Sequence, residues 1–448
     1  MKKDRVLILA AGQGLKPPEA DWGRLVGEFG PTAKATLLWM SDAQAGPVVE
    51  TLSGAGVETD LVPAARLLKQ EVGRVGQEYR LWLEALARES GGRESFWFTR
   101  LTELNFADPI WFQPVRFNVA VDLLEAGSYL GCVAVCDPVL YGMMADFCRL
   151  KDLRFAGREL DLKRSDRLRL LAYAFIGWAG DLGSELAAWR LTRRRQKVVR
   201  ADWLVYARFP RNWKDGEGGR FYRYSQGVSQ ALAETGQKGA YLVPLARKNT
   251  RGLKDIRAIR SGREGLDSLK ADLPVVVVEA YGSLGALLAS YFSIKGAWPW
   301  FRWWRRASRS GLVKWRGADL GAALKREIIF TPFRDWPALR YLKRCVARAL
   351  EAAEASFLLV QGFEFIEGRA VVEASRGAGA KTVGFEHGSA GRAHAWRLVI
   401  APAVMASGGA DGAGAVPELI GYESRTGANL LAAHGFPPER IRVFGAAR

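Results

Sequence analysis

Short apolar runs alternate with longer amphipathic runs along most of the chain. In the first 150 residues the apolar runs lie at 5–9, 35–39, 57–61 and 133–135. A second series lies at 202–208, 240–244, 275–279, 357–361, 381–385, 418–422 and 440–444. Stretches with helical spacing lie between these runs, as at 67–86, 219–235, 338–355, 370–376 and 424–434. Because strands separated by helices are typical of a parallel sheet covered by helices, we predict an α/β fold with two Rossmann-like parallel-sheet units.

The two predicted units occupy residues 1–150 and 201–448, and a basic helical connector joins them at 151–200. Residues 168–178 are apolar and helical in length, and they lead into the basic run Arg193, Arg194 and Arg195. Two interpretations fit this stretch. It is either a connector with a solvated basic end or an amphipathic helix that lies on an anionic membrane.

The basic charge of the chain is concentrated in two stretches. The formal net charge is +18, from 65 basic and 47 acidic side chains. Residues 151–200 carry 13 basic and 6 acidic side chains, and residues 295–348 carry 14 and 3, so they account for the whole excess. A local basic field implies an anionic partner such as a phospholipid or a phosphorylated substrate. Nucleic acid is not an expected partner, because the chain contains no recognisable nucleic-acid module.

The chain has few cysteines and few histidines. Four cysteines and three histidines in 448 residues exclude a disulfide scaffold and a histidine-rich metal site. Cys132 and Cys136 lie in an apolar run without a second cysteine pair. A structural zinc needs four ligands, so we expect these two to be core cysteines.

The most apolar stretch, 273–294, has one charged residue, Glu279, in 22 residues. Pro274 and the valines at 275–278 are typical of a strand, and Gly282-Ser283 is typical of a turn. We therefore predict a buried strand followed by a buried helix rather than a membrane span.

A glycine turn follows the first predicted strand. The amides of Gly12 and Gly14 can cradle a phosphate there. The run from Leu9 to Gly14 resembles the opening of sugar nucleotidyltransferases, in which a small hydroxyl residue and an arginine follow the second glycine. Leu15 and Lys16 stand at those positions. A plain strand-to-helix turn is therefore favoured, and nucleotidyl transfer is the weaker alternative function.

The segment 381–389 carries the strongest candidate chemistry. An apolar strand runs directly into Glu386, His387, Gly388 and Ser389. Ligands bind at the carboxyl ends of strands in open α/β sheets, where a histidine can act as a general base or contact a phosphate. We predict that His387 is catalytic, that Gly388 and Ser389 bind substrate, and that Glu386 or Glu364 orients His387. A capping or core histidine is the alternative interpretation.

A second aromatic and basic run, Trp298 to Arg306, has three interpretations. Its tryptophans pack between domains while its arginines stay in water, or it anchors the protein in a membrane interface, or it stacks on sugars or single-stranded nucleic acid. As a membrane or acceptor surface we name Trp300, Trp303, Trp304, Arg305, Arg306, Arg193, Arg194 and Arg195.

The C-terminal stretch carries a family resemblance. Residues 426–448 combine a helix, a Gly-Phe-Pro-Pro turn, a strand ending at Gly445 and the final Arg448. This order resembles the passage between the two domains of GT-B glycosyltransferases and glycerophosphotransferase-like enzymes, and His387-Gly388 is similar to a pair found upstream in them. Together with Phe96–Glu103, Arg208–Trp213 and Trp303–Gly311, it resembles bacterial surface carbohydrate biosynthesis proteins over most of 90–448.

The resemblance implies glycosyl transfer from a nucleotide sugar to a glycan or lipid-linked acceptor in bacterial surface polysaccharide biosynthesis. It implies a metal-independent cytoplasmic enzyme with no tightly bound cofactor, at the inner face of the plasma membrane, in which Arg208 and Arg448 bind substrate. Residues 201–448 resemble the acceptor half of a GT-B transferase and end at the entry to a donor domain. GT-B enzymes bind the donor in that C-terminal domain, which we expect to be absent or truncated here. The alternative function is a non-catalytic, membrane-peripheral protein that binds a carbohydrate or a lipid-linked acceptor.

Overall fold

The computed structural model describes residues 5–11, 21–30, 34–40, 44–89, 109–159, 167–193, 199–208, 213–216, 218–223, 225–245, 260–261, 264–265, 270–293, 296–363, 365–385, 416–433 and 436–444. The chain divides into two compact units. Unit 1 comprises Met1–Trp82, Leu104–Leu168 and Trp304–Arg326, and unit 2 comprises Leu83–Glu103, Arg169–Trp303 and Glu327–Arg448. The sequence predicted that residues 201–448 form one unit. The structure instead assigns Trp304–Arg326 to unit 1.

Strands and helices alternate along both units. The strands are β1 (Arg5–Ala11), β2 (Lys34–Met40), β3 (Glu58–Pro63), β4 (Tyr129–Cys136), β5 (Arg154–Glu159), β6 (Trp203–Tyr206), β7 (Trp213–Gly216), β8 (Gly219–Tyr222), β9 (Gly239–Val243), β10 (Val275–Val277), β11 (Lys314–Trp315), β12 (Ala318–Asp319), β13 (Phe357–Gln361), β14 (Lys381–Phe385), β15 (Leu419–Tyr422) and β16 (Ile441–Val443). The α-helices are α1 (Trp22–Gly27), α2 (Gly46–Gly54), α3 (Ala64–Glu89), α4 (Pro109–Ala126), α5 (Pro138–Leu150), α6 (Arg167–Thr192), α7 (Gln226–Glu234), α8 (Leu284–Tyr291), α9 (Ala297–Arg309), α10 (Gly321–Phe330), α11 (Trp336–Ala353), α12 (Ile366–Gly377) and α13 (Arg425–Ala433).

The sheet of unit 1 has five parallel strands in the order β3-β2-β1-β4-β5. In the central strand β1, every residue after Arg5 is fully buried, as expected for a parallel sheet covered on both faces. The four predicted apolar runs are confirmed as β1 to β4. The edge strand β5, Arg-Phe-Ala-Gly-Arg-Glu, has no such run, and it lies inside the range 151–200 that was predicted to be a helical connector.

The sheet of unit 2 has seven parallel strands in the order β10-β9-β6-β13-β14-β15-β16. All seven apolar runs predicted after residue 200 are confirmed as its strands. The helix predicted at 219–235 is wrong in its first part, because β8 pairs there with β7 and α7 begins only at Gln226. Gly219 has a φ of +124°, which an α-helix does not contain, and the chain turns back as a hairpin. The coarse prediction of an α/β fold with two parallel-sheet units is therefore confirmed.

The apolar stretch 273–294 forms a strand and a helix, as predicted. β10 passes through a 3₁₀ turn, Val278–Tyr281, into α8, and the Ser283 hydroxyl caps α8 by accepting from the amide of Ala286. The helix is only half buried, because Leu284 and Leu288 are exposed. Within the residues that the structure describes, no helix is both long enough and apolar enough to cross a membrane.

A π-helical turn, Thr331–Asp335, joins α10 to α11. The Nε of Arg334 in this turn donates to Oδ2 of Asp181 on α6 at 2.8 Å, and the two side chains are only 6% and 8% exposed. Such turns shift side chains out of the α-helical register and are frequent at functional sites. This buried ion pair fixes α6 against the beginning of α11 within unit 2.

The cysteines are core residues, as predicted for Cys132 and Cys136. Cys132, Cys136, Cys148 and Cys345 are all buried, and each is a free thiol. Burial raises the pKa of the Cys345 thiol. The pKa of Cys132 is raised as well, first by its hydrogen bond with Cys148 and then by burial. Both thiols are therefore neutral and packed.

Candidate functional site

In unit 2 the chain changes its direction across the sheet between β6 and β13. From β6 it continues outward to β9 and β10, and from β13 it continues the other way to β14, β15 and β16. At such a switch point the loops of neighbouring strands diverge and leave a crevice outside the carboxyl ends of the strands, where ligands bind in open parallel sheets. The topology therefore places a crevice beside Tyr206, the last residue of β6.

A pocket that opens to solvent lies at this edge. Its lining residues all belong to unit 2, and they come from the ends of β6, β9 and β10 and from α6, α11 and α12. Its polar lining consists of Glu185, Tyr206, Glu279, Tyr341, Cys345 and Glu367. The pocket thus brings three carboxyl groups together at the switch point.

Glu367 connects the two strands of the switch point. It lies in the first turn of α12, which follows β13. The hydroxyl of Tyr206 donates to Glu367 Oε1 at 2.6 Å, and Nη2 of Arg208 lies 3.2 Å from Glu367 Oε2. Burial, followed by the charge of Glu367, raises the pKa of Tyr206, which keeps it a hydrogen-bond donor at neutral pH. Arg208, predicted to bind substrate, is therefore held beside a pocket carboxylate.

Glu279 and Glu185 complete the acidic lining. Both carboxylate oxygens of Glu279 accept from the backbone amide of Leu245, at 2.9 and 3.0 Å, so Glu279 ties the loop after β9 to the end of β10. Burial raises the pKa of Glu185 well above its ordinary value, and the charges of Glu279, Asp181 and Glu367 raise it further. A carboxyl whose proton affinity is raised in a cleft can exchange a proton with a bound ligand near neutral pH.

The thiol and the second phenol of the pocket are not nucleophiles. Burial raises the pKa of Cys345 and of Tyr341 above their ordinary values, and nearby Glu185 adds to the effect at both groups. The thiolate is the reactive form of cysteine, and it is suppressed here. The chemistry of the pocket is therefore that of its carboxyl groups.

The corresponding edge of unit 1 lies between β1 and β4. Asp137 follows β4 and caps α5 by accepting from the amides of Val139 and Leu140, both at 3.2 Å. Nε2 of Gln113 donates to the same oxygen at 2.9 Å, and Nη1 of Arg116 lies 3.7 Å from the other oxygen. Asp137 therefore holds the start of a helix, with a cation beside it.

Most of the predicted site residues lie outside the described residues. These are Gly12, Gly14, Arg194, Arg195, Glu364, Glu386, His387, Gly388, Ser389 and Arg448. β14 ends at Phe385, one residue before Glu386, and it is the neighbour of β13 in the sheet. The assignments of His387, Glu386 and Glu364 remain predictions.

The aromatic part of the predicted membrane surface on α9 needs correction. Trp300 and Trp303 are 5% and 2% exposed, their rings stack at 4.7 Å, and Nε1 of Trp300 donates to the carbonyl of Ile328 at 2.9 Å. They belong to the core because they lie on the buried face of α9. Trp304 is half-buried and Arg305 and Arg306 are exposed, whereas exposed Arg193 stacks on the ring of Trp189.

Sequence reasoning raised one pocket acid, Glu367, as a residue after the strand at 357–361 that could orient His387, and it gave one further signal. Glu279 is the lone charge in the apolar stretch 273–294, and a single charge in a buried run indicates a special role. Glu185 lies on α6, far along the chain from the strands that it meets, and nothing local marks it. Among the described residues, no group of three histidine, cysteine, aspartate or glutamate side chains is placed to hold a metal ion.

No family model matches this chain, and no curated protein or solved structure matches it either.

Proposed function

We propose that this chain is a glycosyltransferase of GT-B type that uses an activated nucleotide sugar, and that the unit 2 pocket binds the hydroxyl-rich sugar group. The observation that carries the proposal is the cluster of three carboxyl groups, Glu185, Glu279 and Glu367, at the switch point of a doubly wound sheet. Carboxylates accept hydrogen bonds from sugar hydroxyls. Two doubly wound units in one chain are compatible with a GT-B arrangement, and unit 2 would then hold the donor sugar in place of the C-terminal donor domain expected to be absent or truncated.

The acidic lining indicates which part of the substrate the pocket takes. Two unit charges of like sign repel, and at a separation of 4 Å near a protein surface the interaction is about 4 kcal/mol. A diphosphate placed among these carboxyl groups is therefore disfavoured, whereas a neutral sugar is not. We place the sugar in the pocket and its phosphates outside it, on the side of Arg208.

Glu185 is our first candidate for the general base that deprotonates an acceptor hydroxyl. Its raised pKa makes it a better proton acceptor than an ordinary carboxylate. His387, oriented by Glu386 or Glu364, is the second candidate for this role or for contact with phosphate. Glu367 is a positioning residue, because it holds Tyr206 and Arg208. The acceptor is a glycan or a lipid-linked glycan of bacterial surface polysaccharide, met at the cytoplasmic face of the membrane.

The test measures release of nucleoside diphosphate from a panel of nucleotide sugars, with and without a bacterial lipid extract as acceptor. Glu185→Gln is expected to lower the rate about 100-fold or more, since general base catalysis contributes at least that much. Glu234→Gln, an exposed acid in the last turn of α7, is the matched control and is expected to keep the full rate. No release from any donor would overturn the proposal, and a fully active Glu185→Gln with inactive His387→Ala would move the base to His387.

The acidic lining also favours a second candidate, a carbohydrate-binding protein without transferase activity. A pocket of carboxyl groups and tyrosines binds sugars whether or not a donor is present. Ligand-detected NMR with surface glycans separates the two candidates. Glycan binding that Glu185→Gln and Glu367→Gln abolish, together with no release from any donor, would support the binding protein.

A further inference from the structure

An apolar stripe runs along the outer side of α8 in unit 2. Leu284, Leu288 and Phe292 are 42%, 43% and 60% exposed, whereas Leu287 and Tyr291 on the other side are buried. Residues four positions apart share one face of a helix. The three exposed side chains therefore form a continuous row, in place of the polar residues that a helix facing water carries.

Helix α6 extends this apolar row. The ring of Trp178 meets Phe292 edge-on at 5.3 Å and stacks on Phe175 at 5.5 Å, and its Nε1 donates to the carbonyl of Tyr291 at 3.2 Å. Phe175 and Ile176 are each 65% exposed. Trp178 therefore links Phe292 of α8 to Phe175 of α6, and contiguous apolar patches mark interaction sites.

A row of arginines lies beside the apolar stripe. Arg340, Arg344 and Arg348 follow one another at intervals of four along α11. Nη1 of each bonds to α8 or its ends: Arg340 to the Ser293 carbonyl (3.1 Å), Arg344 to the Ala286 carbonyl (3.0 Å) and Arg348 to the Ser283 hydroxyl (3.4 Å). Within the described chain these guanidinium groups form no ion pair with a carboxylate. Three cations thus border the apolar patch without acidic partners.

We infer that the patch of α8 and α6, with the arginine row of α11, docks onto the surface of an anionic phospholipid bilayer. Exposed leucine, isoleucine and aromatic side chains enter the boundary between headgroups and acyl chains, and arginines meet the anionic headgroups. A second copy of the chain fits less well, because a two-fold interface would bring two unpaired arginine rows together. This surface does not depend on the proposed transferase activity. It differs from the surface predicted on α9, and its α6 part lies in the stretch 168–178 for which an anionic membrane surface was one of two interpretations.

Liposome flotation of the full chain tests the inference. The probes are vesicles of phosphatidylcholine alone and vesicles with a third of phosphatidylglycerol, at low and at physiological salt. Wild type is expected to float with the anionic vesicles. The double variant Leu288→Ser/Phe292→Ser is expected to bind at least about 100-fold more weakly, because two large apolar groups no longer leave water. Arg344→Gln/Arg348→Gln is expected to bind roughly 30-fold more weakly to anionic vesicles only.

The controls replace residues of the same type elsewhere. Leu81→Ser changes an exposed leucine on α3, and Arg305→Gln/Arg309→Gln removes two exposed cations from α9. Both are expected to float like wild type, and circular dichroism checks that each variant is folded. Binding of Leu288→Ser/Phe292→Ser equal to wild type would overturn the inference, as would a larger loss in the α9 variant. Concentration-dependent dimerisation that Leu288→Ser/Phe292→Ser removes would assign the patch to a second copy.

Discussion

The carboxyl edges of the two sheets share one topology and carry opposite chemistry. In each unit the switch point lies between the first strand and the strand on its other side, β1 and β4 in unit 1 and β6 and β13 in unit 2. In unit 1 the acid at this edge, Asp137, is used by two helix amides, a glutamine and a nearby guanidinium. In unit 2 three carboxyl groups line one pocket.

The comparison shows that the strand order of the sheet creates the crevice. The number of hydrogen-bond donors relative to carboxyl groups then determines the chemistry at the crevice. Where hydrogen-bond donors surround the carboxylate, as at Asp137, its charge stabilises the start of a helix. Where acids exceed donors, burial and then the charges of neighbouring carboxyl groups raise the pKa of an acid, as they do for Glu185. Proton chemistry is therefore expected in unit 2 rather than at the described part of the unit 1 edge.

The largest effect is expected where an arginine is removed from an ion pair in each unit. Arg334→Ala leaves Asp181 buried without its cation and is expected to destabilise unit 2 by about 3–5 kcal/mol. Arg116→Ala is expected to cost unit 1 only about 1–2 kcal/mol, since Arg116 lies 3.7 Å from Asp137 and keeps more contact with solvent. Hydrogen exchange followed by mass spectrometry measures each unit separately. Equal losses would contradict the difference in burial between the two ion pairs.

Smaller effects, opposite in sign in the two units, are expected when a glycine is replaced by alanine in the helix that follows β13 or β4. A Cβ on Gly368 of α12 would lie 2.2 Å from the carbonyl oxygen of Gly362, so Gly368→Ala is expected to cost about 1–3 kcal/mol and to displace Glu367. Gly142 of α5 has open space, and Gly142→Ala is expected to stabilise unit 1 by about 0.5–1 kcal/mol. Chemical denaturation provides both values. A neutral Gly368→Ala would show that the loop before α12 yields easily.

The smallest effect concerns pH. The pKa of Glu185 is raised in the folded protein, so the folded state holds this proton more tightly than the unfolded chain, and stability falls as pH rises from 4.5 to the raised value. Glu185→Gln removes this loss. The variant is expected to melt above wild type at pH values above that window and to melt together with wild type below pH 4.5. A parallel offset at all pH values would contradict the assignment, and Glu234→Gln serves as the control.

The strands could be predicted because parallel strands buried on both faces are continuous apolar runs, as in β1 and β13. The edge strand β5 was missed because one of its sides is polar. Trp300 and Trp303 show a further limit, since a run of tryptophans and arginines suggests a surface while their helical spacing puts both on the buried face with Ala307. The pocket acids come from distant parts of the chain, and only folding brings Glu185 to Glu279 and Glu367.

The burial of all four cysteines makes the folded protein unreactive toward maleimides and methanethiosulfonates, which attack thiolates. A single surface cysteine, for example from Leu288→Cys, would then be the one labelled position, with no need to remove the native ones first. A nitroxide at this position reports by its exposure to oxygen or to nickel chelates whether α8 lies in water or in lipid. The wild-type chain is in this sense already a background for site-directed spin labelling.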